Sequence, residues 1–391
     1  MHVVGIGADG WSGLPDASRA ALLSADVVVG GPRQLALLDD SVTATRTALP
    51  APLLPSLGEL LARADGEQVA VLASGDPMFF GIGSTLIGLG VDVRVHAALS
   101  SVSLACARLG WAVQDVDVVS AVGRPLSSLH PFLQPGRRVL VLVGSEDGAD
   151  SVRSLLDARG FGSSAVTVLE QLGGPHERVS AEAGPHDRLA IVALECVADP
   201  DALLLPRVPG LPEAAFDTDG QITKREVRAF ALAALAPVPG QLLWDVGAGS
   251  GSIGIEWMRV HPSSRAIAIE PREDRRGRIA RNADALGVPE LQVVAGAAPD
   301  ALAGLPTPDA VFVGGGVTAP GVLDACTAAL LPGGRLVCNA VTLEGAAVLA
   351  AMNATRGGAL TRIAIERAEP IGGLTGWRPA RAVTQWAWRK P

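Results

Sequence analysis

The sequence predicts an α/β protein of two domains, and three observations carry that expectation. Short apolar runs alternate with helix-length stretches almost throughout, as at residues 27–29, 69–72, 139–142 and 189–192. Continuous runs of this kind read as buried strands of mostly parallel sheets. The chain has 391 residues, more than one ordinary core at about 150 residues per domain. Between residues 198 and 221 stand Pro200, Pro206, Pro209 and Pro212, which block helix continuation. The boundary is placed there, giving domains 1–205 and 206–391. A small-residue loop over residues 96–103 divides the first into lobes of about 1–97 and 98–205.

Composition narrows the function classes. The net charge is −8, from 32 basic and 40 acidic residues. No Lys/Arg run stands out, so the concentrated cationic face that gripping nucleic-acid phosphates requires is missing. The four cysteines, Cys106, Cys196, Cys326 and Cys338, lie far apart among apolar residues and read as buried thiols. The six histidines form no HxxxH or HxH pair, so no metal is expected. A strand-like run follows Met1 directly, and no apolar run reaches the roughly 18 residues of a membrane helix. The expected location is cytoplasmic, with no membrane partner.

The second domain carries the most informative segment, Trp244-Asp245-Val246-Gly247-Ala248-Gly249-Ser250-Gly251. A buried strand ends at Val246, a G-x-G-x-G turn follows, and an amphipathic helix is expected after it. Glycines permit the sharp turn and the close approach of a ligand, and the helix N-terminus turns free amides towards it. The next strand, residues 266–269, ends in Glu270, placed to accept both hydroxyls of a ribose. NAD would need room for a pyrophosphate and usually shows G-x-G-x-x-G. The shorter spacing suits the methionine end of S-adenosylmethionine. Arg281-Asn282-Ala283 on a helix, the strand and loop at 293–298, and the strand ending in Gly314-Gly315-Gly316 complete a Rossmann-like class I methyltransferase order. The glycine run offers neither an acceptor nor an aromatic for an exocyclic base amine, which disfavours base N-methylation.

In the first domain Gly5-Ile6-Gly7-Ala8-Asp9-Gly10 is literally G-x-G-x-x-G, but the next strand ends in Gly30-Gly31 with no acid. A dinucleotide site is rejected. Ser74-Gly75-Asp76-Pro77 follows another strand and lies where open α/β sheets bind ligands. Gly-Asp-Pro is also plain turn chemistry, and the residues alone leave both readings open.

These loops carry a resemblance. Ser74-Gly75-Asp76-Pro77 with Phe79-Phe80-Gly81, and the segment opening Ser100-Ser101-Val102-Ser103, resemble the tetrapyrrole methylases of corrin biosynthesis. Asp219-Gly220-Gln221-Ile222-Thr223-Lys224-Arg225-Glu226-Val227-Arg228 and Leu374-Thr375-Gly376-Trp377-Arg378-Pro379 resemble the start and end of a precorrin methylase module. The order of the halves is similar to the fused precorrin C5,15-methyltransferases (decarboxylating) of cobalamin synthesis. The sequence departs from the pattern at Ala8-Asp9, at Ala98-Leu99 and at Ala297.

The resemblance implies a two-lobed tetrapyrrole methylase domain followed by a class I methyltransferase domain. It implies methylation of a precorrin at C5 by the first half, and at C15 with decarboxylation of the C12 acetate by the second. It implies one S-adenosylmethionine per half; a homo-oligomer is expected as well. The expected cofactor residues are Gly247, Ala248, Gly249, Ser250, Gly251, Glu270, Ala297 and Thr223 in the second half. In the first half they are Gly7, Gly75, Asp76, Ser100 and Ser101. No catalytic residue is fixed. Lys224, one of two lysines, Arg225 and Arg228 are candidates, and Arg378 and Arg381 join the two arginines as forks for substrate carboxylates. Two other readings stand beside this one: a nucleic-acid or protein methyltransferase whose first half is a degenerate tetrapyrrole-binding module, and a non-catalytic tetrapyrrole carrier.

Overall fold

The computed structural model of the chain describes residues 1–49 and 66–391. They form two compact units: residues 1–126 with 132–203, and residues 127–131 with 204–391.

Two five-stranded sheets are described in the first unit. Strands β1 (His2–Ile6), β2 (Val27–Gly30), β3 (Thr45–Ala48), β4 (Val69–Ser74) and β5 (Arg94–His96) lie in the order β3-β2-β4-β1-β5, every pairing parallel. Val3, Val4, Val28, Val29, Ala70 and Val71 are all buried, as expected of a sheet covered on both faces. An all-parallel sheet brings the carboxyl ends of β1, β4 and β5 to one edge, so the loops after them converge.

The second sheet holds β6 (Val116–Ser120), β7 (Arg138–Val143), β8 (Ala165–Glu170), β9 (Arg178–Ser180) and β10 (Ala190–Glu195), ordered β6-β7-β10-β8-β9. Only β6 and β7 pair in parallel; the other three pairings are antiparallel. This corrects the expectation for the runs at 139–142 and 189–192. A continuous apolar run reports burial on both faces and carries no information about strand direction. The expected loop at 96–103 is also shorter. The helix Ser101–Leu109 begins early because the Ser100 hydroxyl accepts the Ser103 N–H at 3.1 Å, a helix cap. That helix buries Val102, Ala105 and Cys106 against Leu140, Leu169 and Ile191.

In the second unit β11 (Leu242–Val246), β12 (Arg265–Glu270), β13 (Gln292–Ala295), β14 (Ala310–Val313), β15 (Arg335–Ala340) and β16 (Ala359–Ile363) join β19 (Val383–Arg389) in the order β13-β12-β11-β14-β15-β19-β16. The first five strands are parallel and the last two pairings antiparallel. Strands β17 (Glu366–Ile371) and β18 (Leu374–Pro379) form a separate antiparallel hairpin. Strand order reverses between β11 and β14, and the crevice outside the carboxyl ends at such a reversal is where open α/β sheets take ligands.

One expectation is corrected here. The helix after the glycine turn, Ser252–Val260, is not amphipathic: every residue from Ser252 to Arg259 is buried. Its inner side meets the sheet, and Leu205, Leu211 and Phe216 join Ile253, Trp257 and Met258 in one cluster on it. The Pro-rich segment is therefore no free tether. Its prolines keep it extended while three apolar side chains dock. Arg259 then donates to the Leu205 carbonyl at 2.8 Å, and Arg207 to the Arg259 carbonyl at 3.2 Å.

Candidate functional site

In the second unit the site grows from the end of β11. Gly247, Gly249 and Gly251 all have positive φ, at 70°, 61° and 77°, which is strained for any side chain but glycine. Gly247 has a second constraint. A Cβ there would stand 2.8 Å from the Gly315 nitrogen, so the backbone after β14 can pass only because Gly247 has no side chain. At Gly249 the space is open, the nearest atom to such a Cβ being the Gln221 carbonyl oxygen at 3.9 Å.

Glu270 is 2% exposed. One carboxylate oxygen accepts the Gly249 N–H at 2.9 Å and the other the Arg272 N–H at 3.1 Å. Two of its roughly four acceptor positions remain for a ligand. The Ser250 hydroxyl is buried in the same turn without a hydrogen-bond partner. A carboxylate with spare lone pairs, an unpaired hydroxyl and an open glycine surface fit an adenosyl ligand.

Asp245 was not singled out in the sequence, although an acid closing a buried apolar strand was the available signal. It is 1% exposed and accepts the Gly254 N–H at 2.9 Å, so it fastens the strand end to the helix beneath the turn. Burial pushes its carboxyl up to about 7, and the Glu270 charge adds to the push. The unfolded chain holds this group near 3.8. Between those values the folded protein binds the extra proton, so stability falls as pH rises from about 4 to about 7 and levels off above. Asp245→Asn keeps an acceptor for Gly254 and removes the titration. Unfolding midpoints of the variant are expected to lose that slope; the same slope in both proteins would assign it to other groups.

Of the other expected residues, Ala297 is exposed in the loop after β13, and Thr223 is half-buried at the start of the helix Arg225–Leu235. Lys224 is exposed at that helix's N-cap, and Arg225 is exposed beside it. Arg378 is exposed and paired with Glu369 at 2.9 Å, and Arg381 is exposed. Arg228 requires a correction. It is fully buried: Nε bonds Glu256 at 2.5 Å, Nη1 donates to the Thr223 carbonyl at 2.6 Å and Nη2 to the Leu211 carbonyl. Its guanidinium also stacks on Phe216 at 4.8 Å. Its donors are consumed inside the core, so it is neither a substrate fork nor a reacting group.

In the first unit a cleft of about 390 Å³ opens between the lobes, inside the ~300–1,000 Å³ range of small-molecule sites. Gly7, Gly75, Asp76, Ser100 and Ser101 all line it, because the loops after β1, β4 and β5 share one edge. Asp76 also accepts the Met78 N–H at 2.8 Å, so its turn role and its place in the cleft coexist. The opposite wall comes from the second lobe, including Ser120, Leu169, Arg188 and Ile191, which sequence reasoning did not reach. Phe80 lines the cleft at φ 52°, with Arg124 over its ring at 5.1 Å. A bulky side chain held at positive φ is a strained position of the kind found in binding sites.

Comparison with known proteins follows this division. Residues 1–184 match the tetrapyrrole (corrin/porphyrin) methylases, and residues 214–390 match the precorrin methyltransferase domain. A precorrin-6Y C(5,15)-methyltransferase [decarboxylating] of Sinorhizobium sp is 51% identical over 398 aligned residues, covering 100% of this chain and 96% of the relative. The chain belongs to the precorrin-6Y C5,15-methyltransferase (decarboxylating) family. A Mycobacterium tuberculosis (strain CDC 1551) protein of the same description is 47% identical, covering 98% of each. The crystal structure of the C-terminal domain of precorrin-6Y C5,15-methyltransferase from Rhodobacter capsulatus is 49% identical, covers 48% of this chain and 100% of its own, and has a TM-score of 0.46. As a member of that family the chain is an S-adenosylmethionine-dependent C-methyltransferase of cobalamin biosynthesis, and the nucleic-acid or protein alternative has no support. No described helix is long and apolar enough to cross a membrane.

Proposed function

We propose that each unit holds its own S-adenosylmethionine and methylates a different carbon of one precorrin. In this reading domain 206–391 methylates C15 and releases the C12 acetate carboxyl as carbon dioxide, and domain 1–205 methylates C5. One observation carries it: each unit presents its own loop cluster at the carboxyl ends of parallel strands, around Gly249 and Glu270 in one and around Gly75 and Asp76 in the other.

Bound S-adenosylmethionine supplies an electrophilic methyl group. A ring carbon made electron-rich by its pyrrole nitrogen needs little help from a base, so the chain's task is to align the reactants and exclude water. In the second unit Glu270 would hold the ribose hydroxyls, and the backbone from Gly247 to Gly251 would cradle the methionine end, with Ala297 and Thr223 at the margins. Lys224 and Arg225, exposed at the adjoining helix start, are the cations available to substrate carboxylates there. In the first unit Gly7, Gly75, Ser100 and Ser101 would line the cofactor, with Asp76 held in place by its own turn. Ile371, Leu374 and Trp377 on the β17–β18 hairpin are 65%, 81% and 71% exposed, which supports a homo-oligomer, readable by sedimentation velocity.

Incubating precorrin-6B with enzyme and S-adenosylmethionine tests the whole reading. Mass spectrometry is expected to find two added methyl groups and one lost carbon dioxide; a product carrying no added methyl group would end it. Glu270→Ala is expected to weaken cofactor use at C15 by about 1.5–3 kcal/mol, the value of a hydrogen bond to a charged group. An unchanged KM for the cofactor in that reaction would remove Glu270 from the site.

A further inference from the structure

A short strap, residues 217–223, crosses the glycine turn of the second unit, and one buried amide fastens the two together. Asn282 is 2% exposed on the helix Glu273–Ala285. Its Oδ1 accepts the Asp217 N–H at 2.8 Å, while its Nδ2 donates to the Asp217 carbonyl and to the Ser250 carbonyl, both at 2.9 Å. One acceptor and two donors meet one N–H and two carbonyls, so the orientation of the amide is fixed by its partners. Ser250 belongs to the glycine turn and Asp217 to the strap. Further along the strap, the Gln221 carbonyl is the nearest atom to a Cβ placed on Gly249, and Ile222 packs on the same cluster as Ala248.

The strap is also held from its solvent side. Arg275 donates to Asp219 at 2.9 Å and to the Gln221 side chain at 2.6 Å, and Arg281 donates to Asp217 at 2.7 Å. Arg278 lies 3.3 Å from Asp217 and 3.6 Å from Asp219. Spacing of three residues puts these arginines along one face of the helix. Their charge fixes where the strap lies, and Asn282 beneath fixes its distance from the turn.

We propose that Asn282 is a positioning residue of the second-half reaction, setting the strap against the Gly249–Ser250 turn so that the two form one wall of the cofactor site. The proposal rests on reading that turn as the S-adenosylmethionine site. Asn282 touches neither reactant in this role. It acts by presenting the Gln221 carbonyl and the residues up to Thr223 to the space over Gly249. Without it, three backbone polar groups lose their partner and the wall opens.

The test uses the full chain and two readouts: hydrogen exchange of the amides in 217–223, and the C15 reaction followed by carbon dioxide release. In Asn282→Ala the Asp217 amide is expected to exchange much faster. The KM for S-adenosylmethionine at C15 is expected to rise about tenfold, the effect of roughly one hydrogen bond, with kcat nearly unchanged and the C5 reaction unaffected. Faster exchange with an unchanged KM would overturn the proposal, since Asn282 would then be merely structural. Unchanged exchange would overturn it too. Should Asn282→Ala fail to fold, Arg275→Gln with Arg278→Gln loosens the strap from outside, and the same two outcomes apply with a rise of about threefold. The underlying reading fails separately: in the wild type, S-adenosylmethionine would then leave exchange across residues 247–251 unchanged.

Discussion

Glu256→Ala is expected to destabilise the second unit by about 3–5 kcal/mol, the usual loss when one member of a buried ion pair is removed. Glu256 and Arg228 are 2% and 0% exposed and 2.5 Å apart. The carboxylate does more than neutralise the guanidinium. It also accepts the Gly210 N–H at 2.6 Å and the Leu211 N–H at 2.9 Å, so alanine would strand a buried cation and two amides at once. Leu211 and Phe216 would lose their anchor on the helix Ser252–Val260, and with them the segment leading to Thr223. Denaturant unfolding followed by tryptophan fluorescence reads the effect, since Trp257 sits in the same cluster. Glu256→Gln keeps one acceptor oxygen, for the Leu211 N–H and Arg228, turns a donor NH2 towards the Gly210 N–H, and is expected to lose less than alanine. Replacing both partners with apolar residues of similar volume is expected to recover only the part due to the stranded cation, because two amides and two carbonyls stay without partners. A loss below about 1 kcal/mol for Glu256→Ala would mean that water reaches Arg228 and that the pair is no core element.

The sequence made the fold legible where local chemistry decides it. Strand ends at Val246 and Glu270, and the three glycines between, follow from apolar runs and positive φ, and both are local properties. The direction of β10 is not local. It depends on how the chain returns between β8 and β10, which no apolar run reports. Arginine roles were the least legible. Arg228 lies three residues from Arg225 in a polar-looking segment, yet one is exposed and the other is sealed beneath Phe216. The difference is made by Glu256, 28 residues away on another helix. The strap had a readable signal. Asp217 and Asp219 alternate on one side, and Arg275, Arg278 and Arg281 recur every third residue on the other, but pairing them needed the fold. The first-half cleft was half legible for a similar reason. Loops after parallel strands point one way by rule, whereas Arg188 and Leu169 arrive from a lobe whose strand directions were misjudged.

Gly247→Val and Gly75→Val are expected to abolish one activity each and leave the other. At Gly247 the added side chain meets the Gly315 backbone and sits at φ 70°, so the turn cannot keep its course. At Gly75, φ is 61° and the residue lines the first-unit cleft; a β-branched side chain is a steep outlier there. Wild-type protein is expected to bind two molecules of S-adenosylmethionine in calorimetry, and each variant one. Given precorrin-6B, Gly75→Val is expected to yield a product with one added methyl group and one lost carbon dioxide, the signature of the second unit alone. Gly247→Val is expected to release no carbon dioxide. Supplied instead with the product made by Gly75→Val, it is expected to add the remaining methyl group at the wild-type rate. The two variants mixed together would then complete the conversion that neither performs alone, since the intermediate needs only to leave one protein and enter another. A single variant that eliminates both cofactor-binding events would overturn the division of labour. So would a mixture that stalls at the intermediate while each variant still binds its one cofactor, because the two units would then have to act on the substrate within one chain.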